Sequence, residues 1–233
     1  MRYLPNNVAC VWQLRARGWN LGWLMSPAGY RRPVKAGELM PFALDNGLYH
    51  APDQRPKGMA ALVPFYAMLR RVAREGVEPL WVVVPDVPYD GVRSLAMSRK
   101  HARHVADHLP DAKLALAVQD GMTPDALDGF DAVFVAGSDE WKDSTIGLWC
   151  REGHARGMPV NVARVNTWRR AALCMEHGAD TADGTCFGYR DRRQIEALLA
   201  VLYPSKSRAE HRDALRVICG AVPEPEGHLW QLT

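Results

Sequence analysis

The sequence predicts a parallel α/β fold, a compact (β/α)8-type TIM barrel that fills residues 1–233 as one domain. Three observations lead there. Short, continuous apolar runs alternate with longer stretches of helical periodicity over most of the chain. No break in composition divides it. Polar groups also follow the last apolar residue of one run after another, as they do at the active-site face of a barrel. An open doubly wound sheet would line one edge in the same way, so this last pattern does not choose between the two parallel architectures.

The expected strands are the apolar runs NLGWLM (20–25), FAL (42–44), LWVVVP (80–85), LALAV (114–118), AVFVA (132–136) and PVNVARV (159–165), with a further stretch near 180. Runs of this length, rich in Val, Leu and Ala, suit strands covered on both faces. The helices expected between and after them cover 58–75, 92–108, 144–156, 167–178, 191–202 and 206–219. The helix at 167 opens on Thr167, a good N-cap, and stops at Gly178, a good C-terminal residue. The first fifteen residues supply either a barrel strand or a segment packed across the barrel's base.

Composition narrows the function classes. The net charge is only +3, but Arg and Lys gather in YRRPVK (30–35), ARVNTWRR (163–170), YRDRR (189–193) and SKSRAEHR (205–212). Brought together, such clusters would suit a polyanion; apart, they are ordinary solvated faces. Five scattered cysteines without a Cys-x-x-Cys pair argue against a disulfide framework and a zinc ribbon. The N-terminus has no uninterrupted apolar core of a signal peptide, and no later run approaches a membrane span, so the expectation is a cytoplasmic protein. No glycine-rich phosphate loop of either nucleotide-binding type is present, which weakens a kinase or nicotinamide-enzyme reading.

Four strand-end groups carry chemistry: Asp45, Asp86, Gln119 and Asp183. Paired carboxylates can divide glycosidic chemistry between a nucleophile and an acid/base. A further carboxylate beside an amide can read a purine, because the two accept from and donate to its edge. Each group has a simpler alternative as a helix N-cap or turn residue. Asp183, in GADTADGT, precedes a glycine and is either a turn residue or a carboxylate presented at a strand end.

The order of these segments resembles that of the tRNA-guanine transglycosylases, and more closely their phage and bacterial DNA-modifying relatives, the DpdA-type DNA-guanine transglycosylases. DNGLY (45–49) stands where that family has Asp-Ser-Gly-Gly-Phe. PDVPYD (85–90) is similar to the segment bearing its purine-reading aspartate, LAVQDG (116–121) to its Val-Gln-Gly-Gly, and VAGSDE (135–140) to its Gly-Gly-Leu-Ala-Val-Gly-Glu loop. The stretch 162–185 resembles the strand and helix leading to the nucleophilic aspartate.

The resemblance implies a barrel enzyme without a cofactor that replaces guanine in DNA with a free 7-deazaguanine such as preQ0. Asp183 would be the nucleophile and Asp45 the general base. Asp86 would hold N1–H and the 2-amino group of the base, Gln119 and the backbone at Gly137 would meet O6, and Tyr49 would stack on the ring. Arg164, Arg169, Arg190, Arg192 and Arg193 would rim the mouth and meet the phosphate backbone. The rival readings are a base or nucleoside glycosidase, a tRNA-guanine transglycosylase, and a non-catalytic nucleic-acid-binding partner. A homodimer is left open.

The chain departs from the family in lacking the Cys-x-Cys-x-x-Cys zinc motif, so no metal and no zinc subdomain are expected, and DNA is favoured over tRNA. Asn46 replaces a serine, and the glycine pair after Gln119 is reduced to Asp120-Gly121. His101, His104 and His108 share a helix face and read as a solvated basic surface, not a metal site. Trp141 and Trp168, beside strand ends, are the tryptophans nearest the expected site.

Overall fold

A computed structural model describes residues 1–6, 8–49, 60 and 62–220. In chain order the strands are β1 (Arg2–Pro5), β2 (Trp23–Met25), β3 (Val34–Lys35), β4 (Glu38–Leu39), β5 (Phe42–Leu44), β6 (Val82–Val83), β7 (Leu114–Val118), β8 (Ala132–Val135), β9 (Val160–Val162) and β10 (Thr181–Gly184). The helices are α1 (Cys10–Ala16), α2 (Val63–Glu75), α3 (Gly91–His108), α4 (Asp139–Ala155), α5 (Trp168–Glu176), α6 (Cys186–Tyr189), α7 (Arg192–Leu202) and α8 (Arg208–Cys219). Eight strands pair in parallel in the order β1-β10-β9-β8-β7-β6-β5-β2. Parallel bridges Tyr3–Leu21 and Asn6–Leu24 bring the two ends of that sheet together. The result is a (β/α)8-type barrel rather than an open sheet. The first residues supply one of its strands, and β3 and β4 form a small antiparallel hairpin in the β2–β5 connection.

Side-chain alternation explains why the ring closes. On β7, Leu114, Leu116 and Val118 point outward to the helices, while Ala115 and Ala117 point inward; on β8, Val133 and Val135 point outward and Ala132 and Phe134 inward. The interior layer is built mostly of alanines, with Leu4, Trp81, Val83 and Phe134 as its only large buried members. An eight-stranded barrel has room for little more than its own side chains. Trp81 and Phe134 meet edge to face, ring centroids 5.5 Å apart, and plug the centre. Phe134 thereby becomes an apolar floor below the C-terminal mouth.

Helix boundaries follow local chemistry. Asp90, Thr167, Asp191 and Ser207 each accept a hydrogen bond from a first-turn backbone N–H, and Ser207 and Glu210 complete a capping box. Gly178, at φ +74°, ends α5 as expected. The largest difference is α4, which begins at Asp139 and not at 144. The polar GSDE segment is the helix's own start, with Asp139 and Glu140 in the first turn where the helix dipole favours anions. Of the helix expected over 58–75, residues 58, 59 and 61 lie outside the described residues, and α2 proper begins at Val63.

The histidine face of α3 is not uniformly solvated. His101 is buried, its Nδ1 2.7 Å from the Tyr66 hydroxyl, and the His104 and His108 rings pack against the same tyrosine. Aromatic packing from α2, invisible in the sequence of α3, draws that face inward. Among the described residues no helix is long and apolar enough to cross a membrane.

Gly184 sits where β1, β10 and the loop after β9 converge. A Cβ there would overlap the Tyr3 hydroxyl and lie 2.5 Å from Asn166 Oδ1 and 2.8 Å from the Val165 carbonyl. Gly184→Ala is therefore expected to destabilise the fold by roughly 1–3 kcal/mol. Chemical denaturation measures this directly, and an unchanged midpoint would contradict the packing described.

Candidate active site

The C-terminal ends of β5, β6, β7, β8, β9 and β10 surround an open-mouthed cavity of about 170 Å³. Val83, Phe134, Ala136 and Ala163 supply apolar surface, and Asp45, Asp86, Gln119, Gly137, Tyr49, Arg164 and Asp183 all line it. Residues spread from 45 to 183 in the sequence thus share one pocket because each follows, or lies within, a strand of the closed ring.

Asp86 is held from two sides. Asn46 Nδ2 donates to Oδ1 at 2.7 Å and Gln119 Nε2 to Oδ2 at 2.6 Å. Asn46 is fixed in turn: its Nδ2 also reaches the Val84 carbonyl at 3.1 Å, and its Oδ1 accepts from Leu48 N–H at 2.9 Å. Gln119 Oε1 accepts from the backbone N–H groups of Tyr89 and Gly137, each at 2.9 Å. Gln119 and the Gly137 N–H thus bind each other here, and Gln119 acts on the pocket by aiming Asp86. A carboxylate has about four acceptor positions, and these amides occupy two of those of Asp86.

Asp183 lies on β10 itself and is 6 % exposed. It is a strand residue, not a turn. Asn161 Nδ2, on the neighbouring β9, donates to Oδ1 at 2.8 Å, and the Arg164 N–H to Oδ2 at 3.2 Å. Thr181 fixes the amide of Asn161 by donating to its Oδ1 at 2.8 Å. Burial pushes the Asp183 carboxyl up to about 6; Asn161, the Arg164 N–H and the nearby Lys142 and Arg164 cations keep it from rising further. At Asp45 the backbone N–H groups of Gly47 and Asn46 oppose the same forces. Burial, with the Asp86 and Asp183 carboxylates beside it, pushes Asp45 up to about 7.

Arg164 does more than rim the mouth. Its backbone is left-handed at φ +57°, and its side chain folds over the cavity. Nη1 donates to the Tyr49 and Tyr89 hydroxyls at 2.7 and 3.2 Å, Nη2 reaches the Gly137 carbonyl, and the guanidinium stands 4.7 Å from the Tyr49 ring centre. Tyr89 also has positive φ, at +68°, and its hydroxyl lies 2.8 Å from that of Tyr49. Two strained non-glycine residues on opposite loops meeting over a pocket mark a place where backbone strain serves position. Asn46, Asn161 and Tyr89 are the site residues that the sequence reading did not assign. Asn161 was legible only as a polar residue inside an otherwise apolar run.

The other expected arginines do not line the cavity. Arg169 stacks its guanidinium 5.5 Å from the exposed Trp168 ring; Arg190 and Arg193 are exposed around α6 and the start of α7, and Arg192 beside them is half-buried. All follow β9 or β10 and lie at the mouth end of the barrel. Trp141 packs against Gly137 and Trp149 and so buttresses the wall. Cys186 is buried against the Tyr3 hydroxyl, 3.3 Å away. Among the described residues, no group of three or more His, Cys, Asp or Glu is placed to hold a metal ion.

Neither protein-family models nor curated proteins give a match to this chain.

The raised Asp45 carboxyl has a consequence for stability. Its ordinary value is 3.8 and its folded value about 7, so between those limits the native state holds a proton that the unfolded chain releases. Stability then falls as pH rises from about 4 to about 7. Asp45→Asn is expected to raise the melting temperature by roughly 10 °C at pH 8 and to leave it nearly unchanged at pH 4. Calorimetry at the two pH values checks the sign; equal or inverted shifts would argue against a buried, proton-holding Asp45.

Proposed function

We propose that the protein exchanges guanine in DNA for a free 7-deazaguanine through a covalent Asp183–nucleotide ester. The observation that carries this reading is the division of labour between two carboxylates facing one pocket. Asp183 has two N–H donors and nearby cations and is mostly ionised at neutral pH, as a nucleophile needs. Asp45 has no such side-chain support among the described residues and retains a proton near pH 7, as an acid/base group needs. Asp86, aimed by Asn46 and Gln119, supplies a fixed acceptor for the N1–H and 2-amino edge of a guanine-like base.

In the first half of the reaction an Asp183 oxygen bonds to C1′ as the C1′–N9 bond breaks. The electron pair leaves with guanine, which takes a proton from Asp45. In the second half the incoming base gives its N9 proton to Asp45, and N9 bonds to C1′. The C1′–oxygen bond breaks, and its electron pair returns to Asp183 as a carboxylate. One glycosidic bond replaces another, so no external energy source is required.

DNA is the substrate that the resemblance favours, and a target base must leave the stack to reach a pocket at the bottom of the mouth. The arginines at that end, Arg164, Arg169, Arg190 and Arg193, suit a phosphate backbone passing over it. Tyr49, half exposed at the entrance, offers a ring face to the extruded base.

Incubation with duplex DNA and preQ0, followed by nucleoside mass spectrometry, tests the reading. The deazaguanine nucleoside should form with the unsubstituted protein and fall roughly 10⁴-fold or more with Asp183→Ala. Free guanine or abasic sites without insertion would instead indicate a glycosidase, and product on tRNA alone would move the substrate class. The same assay should give a bell-shaped dependence of kcat/KM on pH. Activity rises as Asp183 ionises near 6 and falls as Asp45 loses its proton near 7. A profile flat from pH 5 to 8 would exclude this assignment of roles.

A further inference from the structure

Lys142 is the one lysine buried among the described residues, with 0 % of its surface exposed. An ammonium out of water is costly unless its charge is used or neutralised. Its nearest partner neutralises it only in part. Nζ lies 3.4 Å from Asp139 Oδ1, and Asp139 is 65 % exposed at the side chain. The same oxygen is 3.4 Å from Arg170 Nη1 and 3.5 Å from Arg164 Nη2. Arg170, itself buried, also forks onto Asp143 and donates from Nη1 to the Arg164 carbonyl at 3.1 Å.

Between the first turns of α4 and α5, then, three cations (Lys142, Arg164 and Arg170) share two carboxylates, Asp139 and Asp143. Among the described residues one positive charge is left over. The group placed to receive it is Asp183, which accepts from the Arg164 N–H and feels the Lys142 and Arg164 charges. On its other sides Asp183 faces the Asp45 carboxyl and the neutral Tyr3 hydroxyl, neither of which supplies positive charge.

We propose that Lys142 is a positioning residue: together with Arg164 and Arg170 it forms a buried counter-charge that keeps Asp183 anionic and makes it a good leaving group in the second half of the exchange. The chemical part of this proposal rests on the transglycosylase reading. Ester formation removes the charge of Asp183 and leaves the cluster one unit positive in a poorly solvated place. Breaking the C1′–oxygen bond restores the pairing as the electron pair returns to the carboxylate. A fixed charge aimed at a developing carboxylate is worth more in such a place than in water. Arg170 adds a second service, since its bond to the Arg164 carbonyl holds the left-handed turn from which the Arg164 N–H reaches Asp183.

The test titrates the Asp183 carboxyl by carbon-13 NMR in the full chain, with Asp183→Asn used for assignment. Lys142→Met keeps most of the length of the side chain and removes its charge; the Asp183 midpoint should rise by roughly one pH unit. Asp139→Asn, at an exposed position, removes a competing anion and should lower it. An unmoved midpoint in folded Lys142→Met overturns the proposal. If that variant does not fold, an unmoved or raised midpoint in Asp139→Asn overturns it. In a second arm each protein meets DNA without incoming base and is quenched in denaturant. Lys142→Met should carry several-fold more covalent nucleotide than the unsubstituted protein, and an equal or smaller amount overturns the leaving-group role. Shifted midpoints with no covalent nucleotide on any protein would uphold the counter-charge and sink the transglycosylase reading, so the two failures are distinguishable.

Discussion

Three carboxylates, Asp45, Asp86 and Asp183, converge on one pocket above an apolar floor, and their mutual repulsion is the constraint that the rest of the site answers. Ionised like charges this close cannot coexist at no cost in a poorly solvated space. Each is handled differently. Asp86 receives two side-chain amides, Asp183 receives one amide, one backbone N–H and a neighbouring group of cations, and Asp45 is left to hold its proton. Inequality among chemically identical groups is what lets one pocket hold carboxyl groups in different protonation states.

The barrel makes that inequality durable. Asn161 and Asp183 sit on adjacent parallel strands in fixed register, Asn161 opposite Thr181, so their hydrogen bond is set by the sheet and not by a mobile loop. Asn46 and Gln119 reach Asp86 from the strand ends on either side of β6. Alanines inside the ring let it close tightly, and the Trp81–Phe134 contact stops the cavity from running through the centre. Above this rigid base the mouth is crossed by Arg164, Tyr49 and Tyr89, joined by mutual hydrogen bonds.

Much of this was legible from local pattern. The runs 114–118 and 132–136 became β7 and β8 with the same or nearly the same bounds, and Thr167 capped the helix it was expected to open. Polar residues after apolar runs identified Asp45, Asp86, Gln119 and Asp183 as strand-end groups, and the pocket contains all four. Less was visible where one residue type has two uses. Asp139 and Glu140 read as loop polarity and proved to be a helix start, and Arg164 read as one of several rim arginines although it folds into the pocket. The first strand escaped because RYLP is short and ends in proline; pairing with β10 makes it a strand.

By itself the sequence determined the parallel α/β class, the order of the elements and the four polar groups at strand ends, because periodicity, capping and turn chemistry act over a few residues. Only the tertiary structure decided that the sheet closes through residues 3–6 and 21–24, that Asn161 and Asn46 orient two of the carboxylates, and that Lys142 is buried in a shared cluster with Arg164 and Arg170. Those features depend on how far apart charged and hydrogen-bonding atoms lie through space. Distance through space sets burial, electrostatic coupling and hydrogen-bond partnership, and no local pattern in a chain encodes it.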